Sequence, residues 1–129
     1  MADTQIDAPR PKQIDTYEIW EKAQNVPVIT GFHVDDVKDI EVAPWDQKGG
    51  LGAIVRLDGT GDIDVAYISV IPPKQSLNVQ KHLYEEVVLV VKGHGTTEVW
   101  QKDGKKHSFE WKEGSFFSIP VNAYYRHFN

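Results

Sequence analysis

The chain has 129 residues, 40% hydrophobic and 26% charged, which fits one globular domain with a modest core. Its net charge of -5 argues against nucleic acid or an anionic membrane as a main partner, because both select basic surfaces. It contains no cysteine, which excludes disulfides and thiolate metal sites, and no run of 18 apolar residues that would span a bilayer.

The first ten residues lack the apolar core of a secretory signal, so a cytoplasmic location is the default expectation. Residues 1–14, with Pro9 and Pro11, read as a flexible tail. Residues 15–23 read as a short helix, with Asp15 as cap and Glu18 at the capping-box spacing. Pro27 ends it, and 28–34 (VITGFHV) reads as a strand. His33 on that strand has no evident partner and is expected at the surface. The stretch 35–52 is acidic and then loop-like, punctuated by Gly49, Gly50 and Gly52, with Trp45 packed or at an interface. Helix, strand and loop together form an N-terminal extension over 15–52.

Strands follow in quick succession from 53. They are expected at 53–57, 64–71, 79–91, 96–100, 107–111, 115–119 and 124–129. The separators are the Asp58–Asp62 turn, Pro72-Pro73, Lys92-Gly-His-Gly95, Asp103-Gly104, Glu113-Gly114 and Pro120. Asp62 and Asp64 read as turn charges rather than a catalytic carboxylate pair. Many short strands with Gly and Pro turns imply an all-β fold, an antiparallel sandwich or barrel with a short N-terminal helix. Trp100, Trp111, Phe116 and Phe117 are assigned to its core, and His94 and His107 to solvated ends.

Side chains alternate along a strand, so Gln80, His82, Tyr84, Glu86, Val88 and Val90 share one face. If the valines point inward, so do the histidine and the carboxylate, at a cost unless they are paired, hydrogen-bonded or metal-bound. Tyr125, His127 and Asn129 share a face on the last strand. Two such strands side by side would make a small polar pocket.

The stretch 73–86 (PKQSLNVQKHLYEE) followed by Gly93 resembles the first motif of the cupin superfamily. That motif sets two histidines two apart, a glutamate four after the second, and a glycine seven further on. His82, Glu86 and Gly93 fit it, and Gln80 stands at the first histidine. The stretch 114–129 resembles the second motif through Gly114, Pro120 and Asn129, with Asn122 at the second glycine and Tyr125 at the histidine. The resemblance covers residues 53–129. It implies a cupin-like jelly-roll β-barrel with a small-molecule pocket in its mouth, often holding divalent iron, manganese, nickel or zinc.

A reduced ligand set of His82, Glu86 and His127, with Gln80 as a neutral oxygen donor, would suit non-haem Fe(II). It would fit a dioxygenase-like oxidoreductase acting on a small aromatic or carboxylic acid. A metal-free ligand-binding module, or an isomerase or lyase using Tyr125 and His127 as acid and base, are the alternatives on the same fold. The resemblance also implies a barrel that continues past Asn129, completed by a missing portion or a second chain, and a homodimer.

Overall fold

A computed structural model describes residues 15–60 and 64–129. The expected tail, residues 1–14, and the end of the 58–62 turn lie outside the described residues. Among the described residues the protein is mostly β, with one short α-helix ahead of nine strands and a single 3-10 turn at Val37–Asp39. Helix α1 (Thr16–Ala23) begins where expected. Asp15 adopts an extended conformation and its carboxylate accepts from the Tyr17 and Glu18 amides, satisfying two donors that the first helical turn leaves unpaired. Glu18 pairs with Lys22 one turn later rather than closing a capping box.

The helix packs on a first sheet through aromatic side chains. β3 (Leu51–Val55) is the central strand. One edge pairs antiparallel with β4 (Ala66–Val70), and the other is shared by β1 (Val28–Ile29), parallel, and β2 (Ala43–Pro44), antiparallel. β3 is buried on both faces. Gly52 admits the Trp45 indole, since a Cβ there would collide with that ring and with the Ile68 carbonyl. The strand expected over 28–34 stops at Ile29. Gly31 follows at φ +113°, and Phe32 and His33 turn outward, where His33 bonds Asp35 at 3.0 Å.

Two further sheets face each other. β5 (Glu86–Leu89) pairs antiparallel with β8 (Phe116–Ile119). β6 (His94–Trp100) lies between β7 (His107–Lys112) and β9 (Tyr124–Phe128), antiparallel to both. Phe117 of the smaller sheet meets Phe109 edge-on at 4.9 Å and lies 6.1 Å from the His127 ring, so the inner faces interleave. Among the described residues the three ladders do not join into one closed barrel.

The strand expected over 79–91 is interrupted. Only Glu86–Leu89 forms a ladder, while 75–80 peels away and runs antiparallel along β9, with the Gln80 and Tyr125 backbones exchanging bonds of 3.0 and 2.9 Å. The face assignment survives the interruption, because the isolated Gln80–Tyr125 bridge keeps both side chains on the inner side. Phe116, assigned to the core, is 68% exposed. Period-two alternation puts Phe117 and Ile119 inside, which sends Phe116 out. Val87 and Leu89 share its outer face.

Three turns are held by residues in the left-handed region. Gly93 and Gly114 both have positive φ, at 87° and 84°. Asn122 has φ 64°, a conformation that asparagine tolerates better than most side chains.

Candidate functional site

Between the sheets lies a continuous polar chain of five side chains. The Lys48 ammonium donates to Gln80 Oε1 at 3.0 Å, and the Tyr125 hydroxyl lies 3.3 Å from the same oxygen. Tyr125 Oη also lies 3.0 Å from His82 Nε2, and Glu86 Oε2 lies 3.3 Å from that nitrogen. His82 Nδ1 donates to the Tyr84 carbonyl at 2.9 Å. A carbonyl can only accept, so Nδ1 carries a proton and any change of protonation falls on Nε2.

Each member is set by a local feature. Tyr125 comes from β9, and its ring is 1% exposed. Gln80 is fixed by its backbone bridge to Tyr125. His82 follows two residues later, with its carbonyl accepting from the Asn122 amide at 2.8 Å. Its ring stacks parallel on Tyr84 at 3.8 Å. Glu86 opens β5, and its carboxylate retains some solvent contact.

Lys48 was not singled out by the sequence, where it reads as an ordinary loop lysine. The structure buries it beneath the 45–50 turn, closed by bonds between Trp45 and both Gly49 and Gly50. Asn78 pins that turn to the 75–80 segment, its amide donating to the Lys48 carbonyl at 2.8 Å. The ammonium stands 4.8 Å over the Tyr67 ring and 5.3 Å over Trp45. The available signal was Trp45 four residues before the paired glycines Gly49 and Gly50, which mark a turn that carries Lys48 back against the indole.

Glu86 is the charge these groups share. Burial and then the Glu86 carboxylate push the Tyr84 phenol up to about 12. Burial pushes Tyr125 higher still, with Glu86 adding to it. Burial also raises Tyr67, and lowers Lys48 against an opposing pull from Glu86. The phenols therefore stay protonated near neutral pH and serve as donors.

His127 faces inward, as expected, but bonds elsewhere. Its Nδ1 lies 2.6 Å from Thr97 Oγ1, which accepts from the Trp111 indole N–H at 2.9 Å. The expected ligand trio of His82, Glu86 and His127 is thus not assembled. Among the described residues no three His, Cys, Asp or Glu side chains form a metal-ion donor group. The nitrogen of His82 that would ligate is already engaged by Tyr125 and Glu86. These residues do not fit a resident divalent metal.

Burial lowers the His127 pKa from 6.5 to about 4. The unfolded chain therefore binds the extra proton over pH 4 to 6.5, and stability gained above that window is lost as pH falls through it. Two and a half units correspond to about 3 kcal/mol. His127→Gln is expected to flatten the fall in Tm between pH 6.5 and 4, measured by calorimetry. An unchanged slope would place the acid sensitivity elsewhere.

A cavity of about 440 Å³ lies at the end of the sheets where the β6–β7 hairpin and the β8–β9 turn meet. Val99, Trp100, His107, Pro120 and Ala123 are among its lining residues, and none of the five chain members lines it. It sits at the same end as Glu86, the residue paired with Ile119. The described residues contain no helix long and apolar enough to cross a membrane. No family model, curated protein or solved structure matches the chain.

Proposed function

We propose that the protein is a cupin-like jelly-roll domain catalysing metal-independent proton transfer on a small carboxylic acid, in the manner of an isomerase or lyase. The observation that carries this reading is the sharing of His82 Nε2 between Tyr125 Oη and Glu86 Oε2, with Nδ1 held by the Tyr84 carbonyl. Two proton arrangements satisfy that geometry. In one, the Tyr125 hydroxyl donates to a neutral His82. In the other, Nε2–H donates to the Glu86 carboxylate and Tyr125 donates to Gln80 Oε1.

The second arrangement holds one proton more than the first; that proton comes from the substrate to Nε2, and the Tyr125 hydroxyl turns to Gln80 Oε1 to make way for it. Such an array can take a proton from carbon adjacent to a carbonyl and return it elsewhere. His82 is the acid–base group, Tyr125 the second proton carrier, and Glu86 the charge that stabilises the imidazolium. Lys48, through Gln80, places a cation beside the array. The cation favours a substrate that carries or develops negative charge. Among the described residues no third His, Cys, Asp or Glu joins His82 and Glu86, which favours the metal-independent reading over a metal-dependent oxidoreductase. The exposed apolar trio Val87, Leu89 and Phe116 on the outer face of the smaller sheet supports a homodimer with those faces covered.

The test is solvent exchange. The protein is incubated in D2O with a panel of small 2-oxo acids, pyruvate and 2-oxobutyrate among them, and deuterium uptake beside the carbonyl is followed by NMR. Uptake above buffer, unchanged after dialysis against EDTA, is the expected result. No uptake across the panel would sink the reading, and uptake abolished by EDTA would return the site to metal chemistry.

A further inference from the structure

The proton array leaves one half-buried, inward-facing histidine unused, His127. Thr97 stands directly across the ladder from His127 on β9 and from Phe109 on β7. Trp111 stands opposite Gly95 on β6, and its indole lies over that glycine, where a Cβ would collide with the ring. Gly95 thereby lets the indole reach along β6 and donate its N–H to Thr97 Oγ1 at 2.9 Å.

An indole N–H can only donate, so Thr97 Oγ1 accepts there and its own hydrogen is free to donate to His127 Nδ1 at 2.6 Å. Every atom of this relay is then satisfied, and Nδ1 is the acceptor nitrogen. Thr97 is fully buried and its hydroxyl has no other acceptor among the described residues, so donation to Nδ1 is what keeps it satisfied, and the proton of a neutral imidazole then sits on Nε2. That nitrogen has no hydrogen-bond partner among the described residues and is not among their buried unpaired atoms. The ring lies 5.2 Å from that of Tyr125, on the same inward face.

We propose that His127 is a ligand-orienting donor, locked by Trp111 and Thr97 as the neutral Nε2–H tautomer, which hydrogen-bonds the carbonyl or carboxylate oxygen of the substrate handled by His82 and Tyr125. This rests on the proton-transfer reading above for the ligand, though the tautomer lock does not. A neutral imidazole donor can stabilise a developing enolate oxygen without competing for the proton being moved. His127 is therefore assigned neither to the metal nor to acid–base exchange. Thr97 and Trp111 are positioning residues.

The experiment uses the full chain with 15N-labelled histidine, and His127→Gln assigns the signals. Long-range proton–nitrogen spectra at pH 7 are expected to show His127 Nδ1 unprotonated and Nε2 protonated. Thr97→Val, which keeps the side-chain shape, should move His127 to a tautomer mixture while leaving His82 unchanged. Trp111→Phe provides the same reading if the valine variant does not fold. A protonated Nδ1 in the native chain, or an unaltered tautomer in a folded variant, would overturn the lock.

Oxalate, a planar dianion resembling an enolate, is then titrated. A shift of the His127 Nε2 signal, and binding weakened about tenfold in His127→Phe, are expected for loss of one hydrogen bond to a charged ligand. Oxalate binding that perturbs His82 and Tyr125 but not His127 would overturn the donor role alone. No oxalate binding together with no deuterium uptake would sink the proton-transfer reading and the ligand role with it, whatever the tautomer.

Discussion

Trp45→Ala is expected to lower stability by about 3–5 kcal/mol, the range for removing a large aromatic side chain from a packed core. Trp45 is 1% exposed and among the largest fully buried side chains. Its ring meets Tyr67 edge-on at 5.7 Å and lies over Gly52, while its indole N–H donates to Gln24 Oε1 at 2.9 Å. The substitution would leave a cavity, strip Gln24 of its donor, and remove one of the two ring faces beneath the Lys48 ammonium. It would therefore loosen α1, the first sheet and the site together. Urea denaturation checks this, and a loss under 1 kcal/mol would mean that the interior can collapse around the gap. Gln24→Ala separates the hydrogen bond from the packing, and its cost should be much smaller, about 1 kcal/mol.

Tyr125→Phe is expected to reduce deuterium exchange by about a hundredfold or more, the range in which a positioned acid or base contributes. The ring remains, so the inner packing is kept. What disappears is the hydroxyl that lies 3.0 Å from His82 Nε2 and 3.3 Å from Gln80 Oε1. His82 would then lean on Glu86 alone, and the alternative proton arrangement would be closed. The comparison variant is His82→Gln, which should lose as much rate because the groups act as a unit and their losses do not add. If Tyr125→Phe keeps full exchange while His82→Gln does not, the phenol is a bystander and the relay reduces to His82 and Glu86.

The sequence by itself determined the elements and much of the face pattern. Alternation of apolar and polar residues along 86–90 and 124–128 decides which side chains point inward, because a strand leaves no other choice. The Asp15 cap, the Gly93 and Gly114 turns and the exposed hairpin at Asp103-Gly104 were readable for the same reason: each is a local backbone requirement carried by one or two residues. The grouping of Gln80, His82, Glu86 and Tyr125 could be anticipated from their faces.

Only the tertiary structure decided what those side chains touch. Lys48 enters the site because a loop pinned by Asn78, thirty residues away in sequence, folds it under two rings. His127 leaves the expected ligand set because Gly95 on a neighbouring strand makes room for an indole that holds Thr97 against it. Phe116 was misplaced because an aromatic residue reads as core until strand register fixes its side. In each case the partner comes from a strand or loop far off in sequence, and pairing at that distance is set by register and packing, which local pattern does not encode.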